Sequence, residues 1–165
     1  EFFVYDKVVL ASHADESLNI LSDPTNQERE ILSNFKYRKN IAVIHNDERA
    51  MPKNKKAWCS WNSSLDPYNK EQSSVTYWLN QLQNLKIDKD IFLTINPFFK
   101  IDPNKIYNKI DFTHPYYDEK ALKNQSKLNS IQNINNTLFT GSYFGYGFHE
   151  DGIKSSIEML KTLND

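Results

Sequence analysis

Glycine is nearly missing from this chain of 165 residues. There are four, and all fall between Gly141 and Gly152, inside "TLFTGSYFGYGFHEDGIKSSIEML" at 137–160. Glycine tolerates positive φ and lets a backbone approach another group closely, so its confinement marks that turn as a place of special backbone demand. Cysteine is scarcer still. Cys59 alone excludes an internal disulfide and any multi-cysteine metal cluster, and it points to a reducing compartment, the cytoplasm. No apolar run reaches the roughly 18 to 20 residues that span a bilayer, and no signal-peptide pattern opens the chain. An excess of one charge is lacking too. The formal net charge is −1, and the one dense basic patch is "PKNKK" at 52–56, read as a solvated turn. A nucleic-acid partner would call for a basic stripe and is excluded as the main function. An initiator methionine is also absent, and a strand signal follows almost at once in "EFFVYDKVVLAS". The expectation is a piece of a longer polypeptide.

What is present is an ordinary globular composition, 39% hydrophobic and 25% charged. The run Val8-Val9-Leu10-Ala11 lacks alternation, as in a strand of a parallel sheet buried on both faces. "SHADESLNILSD" predicts a short helix. Thr25 and Glu28, spaced as a capping box after Pro24, predict a second, with Ile31, Leu32 and Phe35 on one face. From about residue 40 the period becomes two. "NIAVIHND", "AWCSWNSS", "SVTYWLNQL", "DIFLTIN" and "NKIYNKIDF" are five short strands, expected to form an antiparallel sheet or meander. In it Trp58 and Trp61 take opposite faces and Cys59 is a buried structural thiol. "DEKALKNQSKLNSIQNI" predicts one amphipathic helix with Ala121, Leu122, Leu128 and Ile131 inward. "TLFTG" predicts a last strand, and "DGIKSSIEMLKTL" a last helix with Ile153, Ile157 and Leu160 on its buried side.

This order predicts a mixed α+β and α/β architecture of two domains interwoven in sequence. Residues 1–38 and 137–165 belong to one, 39–117 form the antiparallel sheet of the other, and 118–136 are a connecting helix.

A strand, a glycine-rich turn and a helix N-terminus can hold an anion or a polarised oxygen. The first-turn N–H groups lack partners within the helix, and the macrodipole places about half a positive charge there. A tight turn followed by acidic first-turn residues Glu150 and Asp151 is the structural alternative. His149, Glu150 and Asp151 reproduce no metal-ligand spacing, so no metal is expected. Ser155 and Ser156 fall inside the helix, which leaves a hydrolase without support.

"TLFTGSYFGYGFHEDGIKSSIEML", together with "YDKVVLASHADESLNIL" and "VTYWLNQLQNL", resembles the FAD-dependent amine oxidase and phytoene-desaturase-like flavoproteins, in the branch described as predicted NAD/FAD-binding proteins. The resemblance runs over essentially the whole chain. It implies the C-terminal portion of a two-domain flavoprotein, an antiparallel substrate-domain sheet flanked by strand–helix segments of a Rossmann-like FAD domain. It implies that Gly141 and Ser142 lie along the ribityl chain of FAD. Backbone N–H groups around Gly147, Phe148, His149 and Glu150 would face the flavin's pyrimidine edge, where reduction places negative charge. Tyr146, or else Tyr143, would form a wall of the substrate cavity. Serine stands at 142 where many relatives carry an acidic residue. The G-x-G-x-x-G unit that binds the adenosine and pyrophosphate is not in these residues. The partner implied is therefore the missing N-terminal FAD-binding segment, without which this chain is not expected to hold FAD tightly. The expected activity of the intact protein is hydride transfer from a small-molecule substrate, an amine or a lipid-like compound, to FAD, with no catalytic side chain identified. Two other readings stand beside it: a flavin-dependent desaturase or isomerase of lipid-like substrates, and a non-catalytic α+β binding domain.

Overall fold

The structure is a computed structural model describing residues 2–163. It divides into two compact units. One comprises the chain up to Arg38 and from Pro115 onward; the other is Lys39–His114. Both are mixed α and β, and the larger sheet is antiparallel.

The first unit contains β1 (Val8–Leu10), α1 (Ala14–Ile20), α2 (Asn26–Leu32), α4 (Glu119–Gln125), β7 (Thr137–Phe139) and α5 (His149–Lys161). β1 and β7 pair in parallel, with Val8 opposite Thr137 and Leu10 opposite Phe139. The two edges of this pair differ. On the far side of β7, the side-chain amide of Gln132 takes both backbone groups of Phe139: its Nε2 donates to the carbonyl at 2.7 Å, and its Oε1 accepts the N–H at 2.9 Å. A glutamine so placed does what a further strand would do. β7 is buried throughout, whereas Val8 and Val9 of β1 stay 46% and 44% exposed. Leu10, Ile31, Leu32, Phe35, Leu128 and Phe139 form the centre of the core.

The second helix begins as its spacing dictates. Thr25 Oγ1 accepts the Glu28 N–H, and the Glu28 carboxylate accepts the Thr25 N–H at 2.7 Å, a complete capping box. The helix expected over 118–134 is broken: α4 stops at Gln125, and a single 3₁₀ turn, Leu128–Ile131, follows. The break turns Leu128 and Ile131 into the core at full burial and leaves Leu122 outside, against expectation. The apolar stripe of α5 is also outside. Ile153, Ile157 and Leu160 are 52% to 57% exposed, while Ser155 and Met159 face inward.

The second unit is built on a five-stranded sheet of β2 (Lys36–His45), β3 (Trp61–Leu65), β4 (Ser73–Trp78), β5 (Phe92–Ile95) and β6 (Ile106–Tyr116), with one helical turn, α3 (Leu79–Leu82), after β4. The strand order is β3-β4-β5-β2-β6, not a meander. Cross-strand partners share a face. Val43, His45, Phe92, Thr94, Thr76 and Asn62 therefore line one side, and Ile44, Leu93, Ile95, Val75, Tyr77 and Trp61 the other. The first side is buried and partly polar; the second is apolar and only partly covered. Trp58 lies ahead of β3, not in it, and packs edge-on against Trp78 and Phe92 of the first side. Cys59, expected to be buried, is exposed in the same connection.

Scarcity of glycine does not mean scarcity of left-handed backbone. Asn84, Asn96, Asn133, Asn135 and Asn136 all hold positive φ. Asparagine is the non-glycine residue best suited to that region.

The buried polar side of the sheet is an ordered relay. His45 Nδ1 accepts the Asp47 N–H at 3.1 Å, so its Nε2 carries the proton toward Thr94 Oγ1 at 2.7 Å. Thr94 and Thr76 share a hydroxyl bond at 2.9 Å. Burial holds the His45 pKa below its usual 6.5, the Asp47 charge opposing only in part. Asp47 is gripped by the Arg49 guanidinium and by the Asp102 N–H, which together hold its carboxyl far below the usual range. Both depressions have the same sign for stability. The unfolded state takes up the proton first, so stability is complete above the unfolded pKa and falls with pH below it. We predict that urea unfolding followed by tryptophan fluorescence, which reports Trp58, Trp61 and Trp78 of this unit, loses midpoint as pH drops below about 6.5. A second loss should begin below about 3.8 as Asp47 protonates in the unfolded chain. His45→Gln should flatten the first phase and leave the second; an unchanged first phase would show that His45 is not buried as a neutral ring.

Candidate functional site

The glycine-rich turn lies at the C-terminal end of the parallel pair, where ligands bind in open α/β sheets. Its start is anchored by hydroxyls. Thr140 Oγ1 bonds both Ser155 Oγ and Ser156 Oγ of α5 at 2.7 and 2.8 Å, and Ser155 Oγ also accepts the Gly141 N–H at 3.0 Å. Ser142–Phe144 form a 3₁₀ turn, Gly145 to Phe148 wrap back, and α5 begins at His149.

Two side chains account for Gly145 and Gly147: Asp151, a first-turn acid of the tight-turn alternative, and Tyr117, which the sequence did not point to. The Asp151 carboxylate reaches back into the turn and accepts the Tyr146 and Phe148 N–H groups, each at 3.0 Å. It fills the space beside Gly145 so fully that a Cβ there would overlap its carboxyl group. Tyr117 lies over Gly147, its hydroxyl 3.1 Å from where a Cβ would stand, and Gly147 has φ of +93°. Any other residue there would be both crowded and strained. Gln125 of α4 donates to the carbonyls of Tyr143 and Gly145 and pins the turn from below. Burial raises the Tyr117 pKa first, and the nearby Asp151 charge adds to it. Asp151 carried a sequence signal as the acid at the third helical position. Tyr117 and Gln125, far away in the chain, carried none.

The expected site residues divide on this geometry. Gly147 N–H donates to the Ser142 carbonyl at 3.2 Å, and Phe148 N–H to Asp151; neither is an open donor. His149 and Glu150 are exposed at the helix start, and their N–H groups carry no hydrogen bond among the described residues. Ser142 is half-buried, and its hydroxyl and N–H likewise carry none. Gly141 precedes it with its backbone nearly extended and the Tyr143 ring 2.7 Å from where a Cβ would stand. Tyr143 is 2% exposed and packs against Phe35 and Phe144 with ring centroids 5.3 and 4.9 Å apart. It is a core residue, not a cavity wall. Tyr146 and Phe148 are 76% and 69% exposed and present their rings outward.

FAD, the group expected here, therefore meets two kinds of surface. Ser142 and the His149–Glu150 amides fit it, having free donors beside a backbone without bulk. Gly147 and Phe148 do not, because Asp151 and Ser142 already satisfy them. Among the described residues no three His, Cys, Asp or Glu side chains group as a metal site, and no helix is long and apolar enough to cross a membrane.

No protein-family model matches the chain, and no curated protein sequence matches it. Among solved structures, it superposes on a CLA-producing fatty acid isomerase from P. acnes with a TM-score of 0.60 over 95% of this chain, at 16% identity. At that identity the likeness shows a shared α+β fold. The chain spans 41% of the length of that neighbour.

The turn makes a sharp coupling test. Gly145→Ala displaces the Asp151 carboxylate and should cost about 1–3 kcal/mol, the range for overpacking. Asp151→Ala, which removes a cap, should cost about 1 kcal/mol. In the double variant the overlap with the carboxyl group is gone and only the 2.8 Å approach to the Cβ at 151 remains, so the two costs measured by thermal unfolding should sum to more than the double's. Simple additivity would show that Asp151 does not occupy the turn.

Proposed function

We propose that this chain is part of a larger flavin-dependent enzyme acting on a lipid-like substrate, an isomerase or desaturase in preference to an amine oxidase. The observation that carries the reading is the order strand, glycine turn and helix at the end of a parallel pair, within a fold shared over 95% of the chain with a fatty acid isomerase. The amine-directed reading draws no support from any matching family or relative.

Bound FAD would supply reversible two-electron chemistry at a C–H bond. The residues of this chain position and shield. Ser142 offers a hydroxyl and an N–H to a polyol chain. The His149 and Glu150 amides offer the positive end of α5, tempered by the Glu150 carboxylate, whose charge Lys154 faces at 3.9 Å. The exposed rings of Tyr146 and Phe148 give that rim apolar surface from which water is displaced when a flat ligand covers it. In the second unit, Ile44, Leu93, Ile95, Val75 and Tyr77 make an apolar sheet face suited to an acyl chain.

The test uses the full product of the gene that contains these residues. It should purify yellow, with flavin absorption, and should convert a polyunsaturated fatty acid to a conjugated diene without consuming oxygen. Ser142→Ala should weaken flavin retention several-fold while leaving thermal unfolding of the 165-residue chain within about 0.5 kcal/mol of the parent. A colourless product would overturn the flavin reading. Oxygen uptake with a primary amine, and none of the diene, would restore the amine oxidase.

A further inference from the structure

We propose that the end of the second unit's sheet where all three tryptophans gather is a lipid-facing surface, which seats on an anionic bilayer at the level of its headgroups. This rests on the lipid-like substrate proposed above, and it names the surface through which the enzyme would reach such a substrate.

Register brings the aromatics together. β2 ends at His45, opposite Phe92, where β5 begins. Trp78 ends β4 opposite the same Phe92, and Trp61 opens β3 opposite Tyr77. The Lys105 carbonyl accepts the Asn46 N–H at 3.0 Å, so Tyr107 enters β6 at this end too. Successive residues of a strand face opposite ways. Trp61 and Tyr77 therefore share one face, with ring centroids 6.0 Å apart, and Trp78 stands on the other with Trp58 edge-on at 5.3 Å. Both faces carry rings at this one end, and Trp61 and Tyr107 stay 67% and 49% exposed. Leu82 and Ile87, from the connection after β4, add exposed aliphatic surface beside them. Tryptophan and tyrosine, with an apolar body and a polar handle, favour the headgroup level of a bilayer.

The two connections that leave this end supply the charge. Residues 46–60 carry Arg49, Lys53, Lys55 and Lys56 against Asp47 and Glu48. Asp47 is buried in the grip of Arg49, and Glu48 takes Lys55 at 3.1 Å. Lys53 and Lys56 are exposed and make no ion pair among the described residues. In residues 79–91 Lys86 and Lys89 alternate with Asp88 and Asp90, and the Asp90 carboxylate accepts the Trp78 indole N–H at 2.8 Å. Two lysines lie over rings of the belt: Lys55 Nζ is 4.9 Å from the Trp58 centroid, and Lys89 Nζ is 5.1 Å from that of Tyr107. Rings and aliphatic side chains hemmed by lysines match the boundary between acyl chains and anionic headgroups, where apolar burial and electrostatic attraction add. No helix among the described residues is long and apolar enough to cross a membrane, so the contact is interfacial. Single-stranded nucleic acid is a poorer occupant, because it stacks its bases on open ring faces. Trp58 instead gives its ring to Lys55, Trp78 and Phe92, and Leu82 and Ile87 suit acyl chains and not bases.

Vesicle flotation of the full gene product tests this. The protein should float with vesicles of phosphatidylcholine mixed with phosphatidylglycerol, bind phosphatidylcholine alone about ten-fold more weakly, and come off as salt is raised. Lys53→Glu together with Lys56→Glu should weaken flotation about ten-fold. The same reversal in the first unit, Lys120→Glu with Lys123→Glu on α4, should leave it within about two-fold, since screened charges act over roughly 10 Å. Ile87→Ser, at an exposed position, should weaken flotation without lowering the Tm. A full product that ignores vesicles overturns the proposal, whether the rest of the polypeptide covers this end or the protein binds single-stranded DNA in their place. Flotation equally sensitive to both lysine pairs overturns it too. Activity on a dispersed fatty acid separates this inference from the one beneath it. A yellow product that forms conjugated diene in solution and ignores vesicles sinks the surface and spares the function; a colourless product that floats by way of Lys53 and Lys56 does the reverse.

Discussion

The first unit depends on a ladder three residues long that joins positions 8 to 10 with 137 to 139. Its two halves are separated in sequence by the whole second unit. Loop closure grows only slowly in cost with length. What holds the ladder is burial. Leu10 and Phe139, paired across it, sit in one core with Phe35, Leu128 and Tyr143. The hydroxyl cluster of Thr140, Ser155 and Ser156 then fixes α5 to the end of β7, and the turn between them inherits its geometry from those two anchors.

Local chemistry was readable from the sequence, and choices among distant partners were not. The Thr25–Glu28 capping box closes within four residues, so its spacing sufficed. The change to a period of two from residue 40 located five strands, because alternation is a property of each strand alone. Strand order depends on which strand β2 joins, and nothing local states that. Apolar stripes tell only that a face can be buried. The stripe of α5 is real, yet Ser155 and Met159 face inward in its place, since the inward side must meet Thr140 and Gly141. The helix expected over 118–134 breaks because Leu128 and Ile131 reach the core from a 3₁₀ turn that a continuous helix would aim elsewhere.

The glycine cluster was the strongest signal in the sequence, and it was right about constraint while leaving the occupant open. Backbone laid bare can serve a ligand or a neighbour in the same chain. At Gly145 the neighbour is the Asp151 carboxylate and at Gly147 it is the Tyr117 ring, whereas a Cβ at Gly152 would have only the Ser142 nitrogen near, at 3.8 Å. The open donors lie just to either side, at Ser142 and at His149–Glu150. A self-anchored turn of this kind holds its shape before any ligand arrives, and preorganisation of that sort reduces the ordering cost of binding.

The five asparagines in left-handed backbone have a consequence for the denatured chain. Glycine at those positions would relieve local strain in the native protein, but it would also widen the set of conformations open to the unfolded polypeptide. Asparagine accepts the strain and keeps the random coil narrower. A polypeptide that turns its corners this way carries less configurational freedom to be given up when it collapses, and it reserves true backbone laxity for the one bend where side chains from elsewhere press against the main chain.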